Sequence, residues 1–288
     1  MNRESHYVTV EGRELHLTEW LPADGAAQAP VVVAWHGLAR TGRDMDWIAA
    51  HLAAHAARPC RVICPDTIGR GLSAWSPAPD EEYGLDFYER LAEGLLDSLG
   101  VRECLWLGTS MGGAIGLRAA AGRLAGRIRR LVMNDIGPEL APAAVARIRA
   151  YAGQPPAFAT MGELEDYFRT IYRPYGWLSD RHWRVLAETS ARRLPDGRFT
   201  PHYDPAMVRQ FENFPDDYVQ WPAWERLALP VLVLRGEHSD LLLPEVAERM
   251  RRSGPRAVVA TIAGCGHAPA LNVPAQFALV ERFLLAQD

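Results

Sequence analysis

Gly108-Thr109-Ser110-Met111-Gly112-Gly113 stands between an apolar run, residues 104–107, and an Ala/Leu-rich run, residues 114–124. The first run has the make-up of a buried strand and the second that of a helix. A serine placed where a strand turns sharply into a helix is held on a strained backbone, with its hydroxyl exposed and the helix N-terminus beneath it, which is the geometry of a nucleophile elbow. Glycine at 108 and 112 suits that turn, because backbone meets backbone there and leaves no room for Cβ atoms beside the serine. The G-x-S-x-G pattern alone is a weak signal in a chain with 24 glycines, so the remaining sequence has to agree with it.

A nucleophile on such an elbow calls for an acid after a later strand and a histidine near the C-terminus, in the chain order Ser, Asp/Glu, His. Residues 231–234 (Val-Leu-Val-Leu) form a strand-like run followed by Arg235-Gly236-Glu237-His238-Ser239-Asp240, and residues 257–262 form another, followed by Gly264-Cys265-Gly266-His267. With these motifs the chain resembles the α/β-hydrolase family over nearly its whole length. The resemblance implies an α/β fold: a mostly parallel eight-stranded sheet with helices on both faces and an inserted helical cap. It also implies Ser110 as nucleophile, His267 as base and Asp240 as acid. Asp135, at the end of the strand-like run 128–133, is the alternative acid; the turn after residues 231–234 is the commoner family position. The His36-Gly37-Leu38 turn after residues 30–35 corresponds to the one that presents a backbone N–H in the family, so the amides of Leu38 and Met111 are the expected oxyanion hole.

Composition narrows the alternatives. The chain has 288 residues, 48% of them hydrophobic, enough for a sizeable core, and its net charge of −4 gives no basic field for nucleic acid or an anionic membrane. Every one of its 31 cationic Lys/Arg residues is arginine, which removes Schiff-base and P-loop lysine chemistry. No N-terminal apolar stretch reads as a signal peptide and no run is long enough to span a bilayer, so a cytoplasmic protein is expected. The cysteines (Cys60, Cys64, Cys104, Cys265) lack metal-site spacing and read as buried free thiols; neither a metal nor a cofactor is expected. Cys265, two residues before His267, lacks an elbow and is not a candidate nucleophile.

Along the chain, Tyr7-Val8-Thr9-Val10 and residues 14–18 alternate around Gly12 as a hairpin, 44–57 and 86–99 read as amphipathic helices, and 61–64 as a strand. The turn Asp66 to Ser73 is similar to the family's D-x-x-G-x-G-x-S loop, in which the aspartate ties down the loop; Asp66 is therefore structural, and Ser73 has no elbow. The arginine groups at 123/127/129/130 and 249/251/252 are not interleaved with aromatics and read as solvated helix ends.

From 138 to 228 strand-like runs vanish, prolines are frequent, and helical patterns appear at 142–150, 163–172, 180–192 and 205–214. The expected organisation is a core of residues 1–137 and 229–288 with a cap of residues 138–228. That segment holds more than half of the chain's aromatic residues, and Tyr172, Tyr175, Trp177 and Trp183 are expected to line an apolar acyl or aryl pocket.

Together these readings point to a carboxylic-ester hydrolase for a small or medium, fairly apolar ester, working as a monomer or homodimer through an acyl-enzyme. His267 takes and returns the Ser110 proton and Asp240 orients the imidazole. His36, His182, His202 and His238 lack the Gly-x-Gly-His setting of the base. Serine at the elbow argues against epoxide hydrolases and haloalkane dehalogenases, which use aspartate there. Carbon–carbon bond hydrolysis, enol-lactone hydrolysis and acyl transfer stay open, and a non-catalytic receptor would require a broken triad.

Overall fold

The computed structural model describes residues 2–24 and 28–286; the outermost ends expected for the core, residues 1 and 287–288, lie outside the described residues. The first half runs β1 (Asn2–Val10), β2 (Arg13–Leu21), β3 (Val31–Trp35), α1 (Asp46–Ala54), β4 (Arg61–Pro65), α2 (Pro79–Glu82), α3 (Leu85–Ser98), β5 (Cys104–Thr109), α4 (Met111–Ala121) and β6 (Ile128–Asn134). An insertion follows, with α5 (Pro142–Ala152), α6 (Met161–Ile171), α7 (Asp180–Thr189), the short strands β7 (Ala191–Arg193) and β8 (Phe199–Pro201), α8 (Gln210–Asn213) and α9 (Trp221–Arg226). The chain closes with β9 (Val231–Gly236), α10 (Pro244–Arg252), β10 (Val258–Ile262) and α11 (Pro274–Leu284).

Eight strands form one sheet in the order β1-β2-β4-β3-β5-β6-β9-β10, the α/β architecture expected. From β4 to β10 every pair is parallel, while the β1–β2 hairpin and the β2–β4 pair are antiparallel. Parallel strands need covered faces, which is why the central ones read as unbroken apolar runs. On one face Ile48 and Leu52 of α1 and Val280 and Leu284 of α11 pack against Val32, Ala34, Leu107 and Val132. On the other, Leu91 and Leu95 of α3 and Ile115 of α4 pack against Val33, Trp106 and Leu131.

Parallel order also puts the C-terminal ends of β3, β5, β6 and β9 along one edge, the side of an open α/β sheet on which ligands bind. The insertion adds no strand to the large sheet. Part of it has its own core, in which Leu164, Phe168, Trp183 and Ala187 pack together, whereas Tyr203, Trp221 and Trp224 join the main core. Thr160 and Glu163 close a capping box on α6, which starts that helix after the loop from α5. The four cysteines are free and buried, and burial pushes the Cys60 and Cys104 thiols up to about 12. No helix among the described residues is long and apolar enough to cross a membrane.

Candidate active site

Ser110 sits between β5 and α4 with φ 51° and ψ −118°, a strained backbone that non-glycine residues rarely adopt and that the strand-to-helix turn imposes. The flanking glycines are needed for contact reasons. A methyl group on Gly108 would lie 2.2 Å from the Gly112 carbonyl, and one on Gly112 would lie 2.3 Å from the Trp35 carbonyl oxygen. Trp106 fixes the first turn of the helix by donating its indole N–H to the Gly112 carbonyl at 2.9 Å, and it stacks on Trp35 of β3.

His267 follows β10 and lines the same cleft as Ser110. Its Nδ1 meets Asp135 Oδ2 at 2.8 Å, and the Asp135 side chain is fully buried. The structure thus sets Asp135, and not the expected Asp240, against His267. Asp240 is half-exposed and held away from His267 in an ion pair with Arg147, at 2.8 and 2.9 Å. The loop after β9 reaches the site through its neighbours: Gly236 N–H donates to Asp135 Oδ1 at 2.7 Å and Ser239 donates to Oδ2 at 2.6 Å. Ser239 Oγ in turn accepts the Leu242 N–H, so the loop is wound around the Asp135 carboxylate. Asp135 has φ 56°, one of the few such positions that a short polar residue tolerates, and it directly ends β6, the strand beside the elbow strand.

Among the described residues no protein group holds the Ser110 hydroxyl, and neither the Leu38 nor the Met111 amide donates to a protein acceptor. Leu38 lines the cleft, and Met111 is the first residue of α4, where a helix leaves its N–H groups unpaired. Two free amides flanking a free serine hydroxyl suit an oxyanion formed on a carbonyl under attack.

His36 is scaffold. Burial pushes its imidazole down to about 4, so it is neutral: Nδ1–H donates to Gly37 O at 2.6 Å and Nε2 accepts the Thr67 N–H at 3.0 Å. It thereby fixes the turn that carries Leu38. His238 is exposed, and His182 caps α7, its Nδ1 accepting the Ser179 N–H at 3.1 Å.

The expected pocket aromatics separate into two pairs. Tyr172 and Tyr175 line the cleft with Ser110 and His267, and burial raises both phenol pKa values, leaving neutral hydroxyls. Trp183 belongs to the insertion's own core, and Trp177 is 67% exposed, set edge-on to His182. A helix face facing inward within the insertion and one facing the cleft look alike in sequence, so the aromatic count did not separate them. The cleft, about 460 Å³ with its mouth, also takes Arg40, Arg147, Ile148 and Tyr151, which the sequence reading did not single out. Beyond Thr109, Tyr175 and Ala268 a second, narrow compartment opens, walled by Trp47, Leu178, Val185 and Leu186.

A hydrogen-bonded Ser-His-Asp chain exists away from this cleft. Ser5 Oγ lies 2.7 Å from His16 Nε2, and His16 Nδ1 lies 2.7 Å from Asp66 Oδ2. Its surroundings differ from those of Ser110. Ser5 sits within β1 in regular register opposite Thr18, with no helix N-terminus beneath it. Asp66 also accepts the Gly42 and Leu72 amides at 2.6 and 2.9 Å, tying down its loop. Burial alone would raise the Asp66 pKa, but the hydrogen bond from His16 and the neighbouring donors more than offset this and lower it. Ser5→Ala is therefore expected to keep ester hydrolysis within about twofold, with a fluorophosphonate probe labelling the Ser110 peptide only. A folded, inactive Ser5→Ala protein would move the nucleophile to β1.

For metals, the described residues bring together Glu4, His6 and Glu19 on the β1–β2 hairpin, where Arg61 already pairs with Glu19; nothing in the cleft has a metal-ligand set.

The fold and this edge of the sheet define a hydrolase scaffold, and the match to known proteins makes it specific. Residues 31–279 match the model of the alpha/beta hydrolase family, and the chain belongs to that family. Among its relatives, the 3-hydroxybutyrate-oligomer hydrolase of Cupriavidus necator is 38% identical over 266 residues, 89% of each chain. The 2-hydroxymuconate semialdehyde hydrolase of Pseudomonas putida is 30% identical over 235 residues, 79% of this chain and 78% of the other. An alpha/beta hydrolase from Novosphingobium aromaticivorans superposes with a TM-score of 0.85 at 32% identity, covering 98% of both chains.

Proposed function

We propose that the chain is a serine hydrolase of carboxylic esters, with short 3-hydroxyacyl oligomers as its substrate class. The observation that carries this reading is the constellation at the sheet edge: Ser110 on its strained turn shares a cleft with His267, whose other ring nitrogen meets the buried Asp135. The relative that hydrolyses 3-hydroxybutyrate oligomers supports the substrate class.

In the proposed sequence His267 Nε2 takes the Ser110 proton as Oγ attacks the ester carbonyl, and the Leu38 and Met111 amides hold the oxyanion. His267 then protonates the leaving alkoxide, the C–O bond breaks, and an acyl-enzyme with a free hydroxy compound results. Water activated by His267 adds to the acyl-enzyme and releases the acid. Asp135 keeps the Nδ1–H tautomer and stabilises the imidazolium. The residues from 138 onward that wall the cleft act as its cap, with Tyr151, Tyr172 and Tyr175 facing the substrate.

Acid release from 3-hydroxybutyrate trimer, followed at constant pH beside p-nitrophenyl esters from acetyl to decanoyl, tests the reading. Turnover of the trimer and of the shorter p-nitrophenyl esters is expected; a folded protein that cleaves none of these esters would remove it. The 2-hydroxymuconate semialdehyde relative motivates a second reading, carbon–carbon bond hydrolysis, and the loss of that compound's absorbance under the same conditions is its test.

A further inference from the structure

α7 turns one face to the narrow compartment behind Thr109, Tyr175 and Ala268. His182, Val185, Leu186 and Thr189 line it, and their spacing of three, four and seven residues sets them in one row down the helix. At the helical rise the row from Thr189 to His182 is about 10 Å long. The inner end of the compartment borders Thr109 and Ala268, the chain neighbours of Ser110 and His267, which also line the catalytic cleft. Its outer end is at His182, whose ring stands edge-on to Trp47 and to the exposed Trp177, at centroid distances of 4.4 and 5.7 Å.

Beyond the neck, the other polar side chains are engaged within the protein. Arg43 donates to Asp46 at 2.7 Å, Asp44 accepts from Arg40, Thr189 donates to the Val185 carbonyl at 2.8 Å, and the Asn272 amide donates to the Trp177 carbonyl at 3.0 Å. His182 is different. Its Nδ1 accepts the Ser179 N–H at 3.1 Å and also faces the Asn272 NH₂ at 3.4 Å, so the ring proton stands on Nε2. Burial, with Arg181 beside it, lowers the pKa and keeps the ring neutral. Among the described residues that Nε2–H meets no protein acceptor, and it is not sealed from solvent. An oriented, neutral donor therefore opens onto a compartment otherwise walled by Trp47, Leu178, Val185 and Leu186.

We propose that His182 is the polar contact of a chain subsite in this compartment, its Nε2–H donating to a carbonyl oxygen that the substrate carries beyond the scissile bond. The protein then selects chains that bear ester oxygens at intervals over plain alkyl chains. This rests on the ester-hydrolase reading above. A plain alkyl chain would displace water from the donor and leave it unpaired, whereas a carbonyl replaces that water. The scale agrees: a 3-hydroxybutyrate chain repeats every four bonds, about 5 Å when extended, so two units match the row from Thr189 to His182.

The test uses two substitutions that keep the helix cap. Position 182 is the third residue of a Ser-x-x capping box, where Gln and Glu are the ordinary partners, and either accepts the Ser179 N–H. Gln also carries an NH₂ donor, and ionised Glu carries none. Acid release at constant pH is compared for the 3-hydroxybutyrate trimer and for hexyl hexanoate, an ester of similar length without further oxygens. Wild type is expected to favour the trimer by about tenfold or more in kcat/KM; His182→Glu is expected to bring the ratio near one, and His182→Gln to hold it within about threefold of wild type. A residue that merely caps α7 would lower both rates together and leave the ratio unmoved. A wild type without the preference, a His182→Glu protein that keeps it, or a His182→Gln protein that loses it equally overturns the proposal.

Should neither variant fold by thermal melt, nitrogen NMR of histidine-labelled Ser110→Ala decides: the His182 Nε2 resonance is expected to shift on adding the trimer and not on adding hexyl hexanoate, and a resonance unmoved by the trimer overturns the subsite. If wild type cleaves neither these esters nor p-nitrophenyl acetate, the ester-hydrolase reading has failed. Calorimetric binding of the trimer to wild type and to His182→Glu then judges the subsite separately, and equal affinities overturn it.

Discussion

Asp135→Asn is expected to lower kcat by about 10⁴-fold, the scale of loss when the buried carboxylate of a Ser-His-Asp triad becomes an amide, while Asp240→Asn stays within about threefold of wild type. The contrast follows from what each carboxylate touches. Asp135 is completely buried, accepts from Gly236 N–H, Ser239 Oγ–H and His267 Nδ1, and among the described residues has no competing ion pair. An asparagine there keeps the volume but can turn its NH₂ toward His267, which forces the proton onto Nε2 and removes the nitrogen that must accept from serine. Asp240 pairs with Arg147 at a half-exposed position, and such pairs contribute about 0–1 kcal/mol. Steady-state kinetics on a p-nitrophenyl ester, with melting temperatures to confirm folding, read both variants. A collapse of Asp240→Asn alone would return the acid to the loop after β9.

The two candidates were hard to separate in sequence for a physical reason. Each aspartate follows an apolar strand run, and β6 and β9 are neighbours in the sheet, so the acid from either reaches the same part of the edge. The deciding feature is direction. Asp135 takes a left-handed backbone immediately at the end of β6 and turns in, whereas the loop after β9 spends its inward position on Ser239 and leaves Asp240 on the surface.

The strands and the elbow were legible because local sequence dictates them: unbroken Val/Leu runs demand two-sided burial, and Gly108 and Gly112 are forced by backbone contact. The walls of the cleft were not, because they depend on how α5 and α6 sit over the sheet. Tyr172 and Trp183 share one cluster in the insertion, yet only Tyr172 also faces Ser110. Arg40 left no local signal, since an arginine after a strand-ending turn looks like any solvated side chain until Asp44, Ser190 and Tyr172 are found around it.

Ser110→Ala is expected to remove about 10⁶-fold in kcat, the largest single loss in the molecule, with little change in KM. The asymmetry between the two constants is the informative part. Alanine fits the φ 51° position no worse than serine, and among the described residues the hydroxyl it removes supports no other protein group, so the elbow and the free amides survive the substitution. What disappears is covalent catalysis alone. The remaining rate is that of water attacking a carbonyl held by the Leu38 and Met111 amides, which in triad enzymes still exceeds the uncatalysed reaction by about 10³-fold. Mass spectrometry of the intact protein and of its quenched digest after exposure to a p-nitrophenyl ester makes the difference direct: wild type is expected to carry a transient acyl adduct, on the peptide that holds Ser110, and Ser110→Ala none. An adduct that persists in the variant, or a kcat that falls less than about tenfold, would mean that another group attacks the ester, and the triad assignment would fall with it.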